Sequence, residues 1–171
     1  AFRSFEGGIR VTMPTFYTGY IPMSLQVNIA AGKAAGDLPP QFQFVMGRRM
    51  PVFGRIAHFA TAPIGFYGGD EFAAAYAEHN CSDFFWRLIG LPTYEGRGIE
   101  FIFEGGSALY RGTHNTYFPT DEQWYSEVGF GLGKIPTFVS NVIFLRLDAL
   151  WGVGPIAAGR FGMTATVSSP F

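Results

Sequence analysis

RFGMTATVSSPF, Arg160 to Phe171, is the stretch whose reading decides the fold. Phe161, Met163, Ala165, Val167 and Phe171 share one parity, broken only by Ser169. Arg160, Gly162, Thr164, Thr166 and Ser168 take the other. Alternation of period two belongs to a β-strand, because successive side chains leave opposite faces of a sheet. One face here is apolar and the other polar, so the strand stands between two solvents. Lipid outside and a polar interior inside satisfy both faces.

Composition points the same way. Charged residues make up 15% of the 171, hydrophobic ones 48% and aromatics 18%, whereas a soluble domain usually carries about 25% charged residues. No run of about 18 apolar residues occurs, which excludes a helical membrane span. High apolar content without a long apolar run is what alternating strands in lipid produce. A formal net charge of −1 leaves no electrostatic footprint for nucleic acid. Cys81 is the only cysteine, so neither a disulfide framework nor a multi-cysteine metal site is expected. Ala1 to Met13 has no basic n-region and no apolar h-region. An outer-membrane protein carries such a signal when it is made, so the expectation is either a mature product or, as favoured, a C-terminal portion of something longer.

Gly (23) and Pro (11) punctuate the chain, favouring hairpins over long helices. About eight alternating segments follow: Gly7 to Met13, Met23 to Ala31, Gln41 to Met46, Glu71 to Asn80, Ile99 to Leu109, Trp124 to Gly133, Val139 to Trp151, and the terminal one. Gly32 to Pro40 reads as a turn. Residues 47–69 form the longest irregular stretch, placed outside the cell with the other long connections. Its Phe53, Phe59, Phe66 and Tyr67 fit either a plug of the interior or the membrane interface. Trp124 and Trp151 sit at segment ends, where an interfacial girdle wants them. The segment 71–80 leaves its faces open, because Phe72, Ala74 and Tyr76 share a parity with Glu78. The fold expected is all-β, a single domain over 1–171. It is an antiparallel transmembrane β-barrel with about eight strands in this chain, part of a larger barrel.

Taken in order, GDEFAAAYAEHN (69–80), FFWRLIGLP (84–92), FEGGSALYRG (103–112), WYSEVGFGLGKI (124–135), VIFLRLDALW (142–151) and RFGMTATVSSPF resemble one family. It is the C-terminal barrel of the bacterial surface-antigen outer-membrane superfamily, of BamA/TamA type. The likeness is greatest to Bacteroidota proteins that carry a carboxypeptidase-regulatory-like N-terminal domain ahead of a barrel. A terminal Phe on the apolar face is also how outer-membrane barrels end, making Phe161, Met163, Ala165, Val167 and Phe171 a C-terminal assembly signal. The resemblance covers about 41–171. It implies the bacterial outer membrane, contact with lipid and lipopolysaccharide, partners in the assembly machinery and other envelope proteins, and a role in envelope biogenesis or in anchoring a periplasmic domain. Family barrels have sixteen strands. Their Arg-Gly-aromatic motif in the interior loop has no match here: the loop reads MGRRMPVFG (46–54), with Arg48 and Arg49 in its place.

Parity assigns Arg10, Glu100, Glu104, Glu127, Arg146, Asp148 and Arg160 to the inner face. Charges there persist only if hydrated or paired, so they read as an ion-pair ladder along the inside of the wall. Glu78, His79 and Ser82 raise the alternative of an outer-membrane acyl hydrolase. Neighbouring strand residues point to opposite faces, however, so Glu78 is badly placed to orient His79. His58 and His114 fall in loops, no cofactor is expected, and the chain reads as a non-enzyme. A self-contained eight-stranded barrel binding lipid or a small solute is the remaining alternative.

Overall fold

The computed structural model describes residues 2–17, 22–36, 39, 42–46, 59–62, 67–91, 98–112, 121–137 and 140–168. Its strands are β1 (Phe2–Tyr17), β2 (Pro22–Gly36), β3 (Phe44–Val45), β4 (Gly68–Gly69), β5 (Glu71–Asn80), β6 (Glu100–Arg111), β7 (Gln123–Thr137), β8 (Ser140–Val153) and β9 (Phe161–Ser168), with one helical turn, α1 (Phe84–Leu88), between β5 and β6. Seven of them form one antiparallel sheet in the order β1-β2-β5-β6-β7-β8-β9. Each strand therefore pairs with its chain neighbour, apart from the β3-β4 ribbon inserted between β2 and β5. Among the described residues β1 and β9 have one paired edge each, and the sheet is not closed.

The alternation predicted for the strands becomes two continuous faces through the register. Val11, Val27, Ala77, Gly105, Val128, Trp151 and Phe161 are successive cross-strand partners over all seven strands. The next row is Thr12, Gln26, Glu78, Glu104, Gly129, Leu150 and Gly162. The first row lies on a face that leaves Val128 53% and Met163 69% exposed; the second lies on a face where Glu104 is buried. Over the middle of the sheet apolar side chains face out and charged ones face in, the reverse of a soluble sheet.

The inner face is concave. Phe59 stacks edge-on against Tyr76 of β5 and Tyr125 of β7. A side chain at Gly162 of β9 would press on the carbonyl of the adjacent Ala60. Strands β5 and β9 lie about 19 Å apart in a flat sheet at roughly 4.8 Å per strand, so the sheet curls around this peptide. At the same end, Met46, Phe59, Ala62 and Ala157 join Ala108, Tyr110 and Tyr125 in the buried core, with Phe44, Tyr67 and Phe72 against it.

Several expectations need correction. The main sheet has seven strands, not eight, because the segment 41–46 stays out of it. Only Phe44–Val45 is extended there, paired with Gly68–Gly69. Phe44 lies against Phe72 and Phe42 against Phe2, both partners of inner-face parity in the register. The turn expected at Gly32 is strand as far as Gly36, whose φ of +95° ends it. Gly32 is small because a side chain there would strike the rings of Phe72 and Phe44. Strand β7 passes Gly133 to Thr137 across a register shift at Lys134, whose φ is +51°. Phe59 and Tyr67 of the long loop pack inward; Phe53, Phe66, Arg48, Arg49, His58, His114 and Phe171 lie outside the described residues.

Candidate functional site

The inner face carries a buried charge cluster at mid-sheet. Glu78 and Glu104 are directly opposed on β5 and β6, and like charges so placed repel. Arg146 arrives from β8 to answer them. Its Nη1 donates to Glu78 Oε2 at 2.8 Å, its Nη2 to Glu104 Oε2 at 3.2 Å, and its Nε to Asp148 Oδ1 at 2.6 Å. Arg146 is 3% exposed and Asp148 2%. The planar fork of a guanidinium suits three simultaneous acceptors in a way that an ammonium does not. Tyr76 donates its hydroxyl to Glu104, and Thr164 of β9 donates to Asp148 Oδ2 at 3.1 Å. The cluster thereby ties β5, β6, β8 and β9 together across the concave side.

A second carboxylate grips the peptide inside the curl. Glu127 of β7, 0% exposed, accepts the backbone N–H groups of Ala60 at 2.9 Å and Thr61 at 3.0 Å, and the Thr61 hydroxyl at 2.9 Å. The Thr61 hydroxyl also meets the Tyr125 hydroxyl. Charge-assisted bonds of this kind are roughly twice as strong as neutral ones. They satisfy a buried carboxylate that would otherwise be costly.

Of the seven charges expected inside, the structure brings Glu104, Arg146 and Asp148 together and sets Glu127 two residues along β7 from Gly129, the partner of Glu104. Arg10 lies apart on β1, its Nε donating to Asn28 Oδ1 at 2.7 Å. Glu100 sits towards the far end, bonded by Asn80 Nδ2 at 2.8 Å and paired with Lys134. Arg160 stands in the β8–β9 turn, its carbonyl accepting from Gly152 N–H. Glu78 belongs to the cluster although its face was unassigned from sequence. Its shared parity with Tyr76 was the available signal. Thr61 was missed, and nothing near it in sequence points to Glu127.

Glu78, His79 and Ser82 do not assemble. Glu78 is held by Arg146 on the inner face, while His79 Nε2 meets Thr15 Oγ1 at 2.9 Å and His79 Nδ1 meets Cys81 Sγ at 3.2 Å. Burial pushes the Cys81 thiol up from its ordinary pKa, which keeps it protonated and poorly nucleophilic. Among the described residues no group of three or more His, Cys, Asp or Glu could hold a metal ion.

The outer face carries a different pattern. Rings of Phe101 and Phe103 on β6, Phe130 on β7, Trp151 on β8 and Phe161 on β9 touch in sequence. Phe103 pairs with Phe130, but Trp151 pairs with Val128, two residues away from Phe130. The belt therefore runs diagonally to the strands. Towards the long-loop end, the row Lys33–Glu71–Arg111 places three charges on the same outer face. Lys33 is ion-paired with Glu71, and Arg111 with Glu122. On β6 that leaves Phe101 to Leu109 without an outward charge.

No protein-family model matches the chain, and neither a curated protein nor a solved structure shows a significant match to it.

Proposed function

We propose that this chain is a section of wall in an outer-membrane β-barrel of surface-antigen type. It would serve envelope biogenesis or anchor a periplasmic domain, rather than catalyse a reaction. The observation that carries the reading is the inverted sheet: exposed apolar rows outside, buried Arg146, Glu104, Glu127 and Asp148 inside. In water the outer face would be a contiguous apolar patch of exposed Val128, Phe130, Leu147, Trp151, Phe161 and Met163, of a kind that soluble monomers rarely carry; against acyl chains it is in its proper solvent. The diagonal aromatic belt supports the same reading. Strands tilted about 40° carry a level ring of side chains along by roughly one residue per strand, which is the drift from Phe103 to Trp151. The stretch Phe101 to Leu109 also matches the roughly 9–11 residues of a tilted crossing. The surface-antigen assignment itself rests on the order of the sequence motifs. It brings lipopolysaccharide and the outer-membrane assembly machinery as partners.

Among the described residues, seven strands of alternating direction leave β1 and β9 running the same way. Direct closure between them would be a parallel pair, whereas bacterial barrels close antiparallel. This favours a larger barrel over a self-contained one. The free edge of β9 then offers ladder groups to an incoming strand. The test is extraction of the native protein from membranes, with mobility read before and after boiling. A heat-modifiable species larger than this chain's 18.8 kDa is the expected result. A soluble product with no heat shift overturns the reading.

A further inference from the structure

Helix α1 and the residues behind it, FFWRLIGL (84–91), form an apolar knob that the wall does not need. Leu88 is 68% exposed, Ile89 65% and Leu91 50%. A connection between strands is ordinarily polar, because its backbone must find partners in water. This one closes its own. The N–H groups of Phe84, Trp86, Arg87, Ile89, Gly90 and Leu91 donate to Cys81 O, Asp83 O, Asp83 O, Phe85 O, Arg87 O and Trp86 O. The Trp86 indole donates to Ile99 O at 2.7 Å, and Arg87 Nε to Asp83 Oδ2 at 2.9 Å. Gly90, at φ +76°, lets the chain turn back tightly enough for the Leu91 N–H to reach Trp86 O.

A segment that bonds most of its own N–H groups and points its apolar side chains outward suits a hydrocarbon boundary. Its position agrees. Phe85 stacks on Phe101 and Phe103, the start of the aromatic belt, so α1 lies against the outer surface of the sheet. The exposed knob is thus continuous with the face read above as lipid-facing.

We infer that residues 84–91 are an interfacial foot, immersed among lipid headgroups and upper acyl chains beside the barrel wall. The inference rests on the membrane reading of the sheet. It adds a second contact with lipid, at the rim opposite the long loops. Arg87 reaches out beside its partner Asp83, towards the headgroup level.

The test places an environment-sensitive fluorophore on an Ile89→Cys variant, in a Cys81→Ser background, with the full-length protein reconstituted in phosphatidylcholine vesicles. A second sample carries the label at position 163 on β9. Lipids bearing a nitroxide either near the headgroup or deep in the chain serve as quenchers. The expected result is quenching at position 89, stronger with the shallow nitroxide than with the deep one, and quenching at position 163 as well. Quenching at 163 with none at 89 overturns the foot and leaves the wall intact. Absence of quenching at both overturns the wall and the foot with it. A label at position 88, exposed on the same knob, gives the same pair of outcomes if the first variant fails to fold.

Discussion

Arg146 answers three carboxylates at once, and this makes it the residue on which the inner face most depends. Breaking a buried pair by removing one partner typically costs about 3–5 kcal/mol, because the other charge is left buried and unanswered. Arg146→Ala therefore lowers the midpoint of chemical unfolding of the reconstituted protein by an amount of that order. Adding Glu78→Gln, Glu104→Gln and Asp148→Asn to it restores much of the loss, since neutral groups no longer repel. An Arg146→Ala variant with unchanged unfolding would show that the cluster is not structural. Parity alone reveals Glu104, Glu127, Arg146 and Asp148 as inward residues. It does not reveal who binds whom: Arg146 and Glu78 are 68 residues apart, and they meet only because the sheet curls.

At the scale of the strand, one step along the chain exchanges the outer face for the interior, and in the proposed reading lipid for lumen. Leu147 pairs with Leu132 and Ala165 on the outer face; Phe144 belongs to the inner parity. A charge on the lipid face at mid-membrane costs about 2–4 kcal/mol. Leu147→Arg is thus expected to block membrane assembly and Phe144→Arg to be the milder change, read as the folded fraction recovered from vesicles. Equal effects would overturn the face assignment. Strands with Leu, Val or Phe against Gly, Thr or Glu are legible as sequence. β5 is not, because Ala73, Ala75 and Ala77 make a weak outer face and Phe72 and Tyr76 fill the inner one. Its orientation is settled only by pairing Glu78 with Glu104. The alternation at 41–46 misleads for a related reason: a few residues of period two describe a strand in a wall and a strand packed inside it equally well.

For the whole molecule, spaced glycines on the inner face mark where neighbouring groups approach the backbone closely. A side chain at Gly129 would collide with Leu150, and one at Gly131 with Asp148, so bare backbone there keeps the Arg146 cluster close to the wall. The sequence shows these glycines as places of close approach without showing what approaches. The open edges of β1 and β9, running in the same direction, place this sheet within a larger closed structure in the proposed reading. The central proposal is that the convex face of this inverted sheet belongs in lipid. The most direct test is a nitroxide scan along β9, one position at a time from 161 to 168, in vesicles. Collision rates with oxygen, which concentrates in lipid, are compared with those of a water-soluble nickel reagent. Oxygen-dominated values at 161, 163, 165 and 167, alternating with low oxygen accessibility at 162, 164, 166 and 168, are the predicted result. Nickel-dominated values at the odd positions would contradict it.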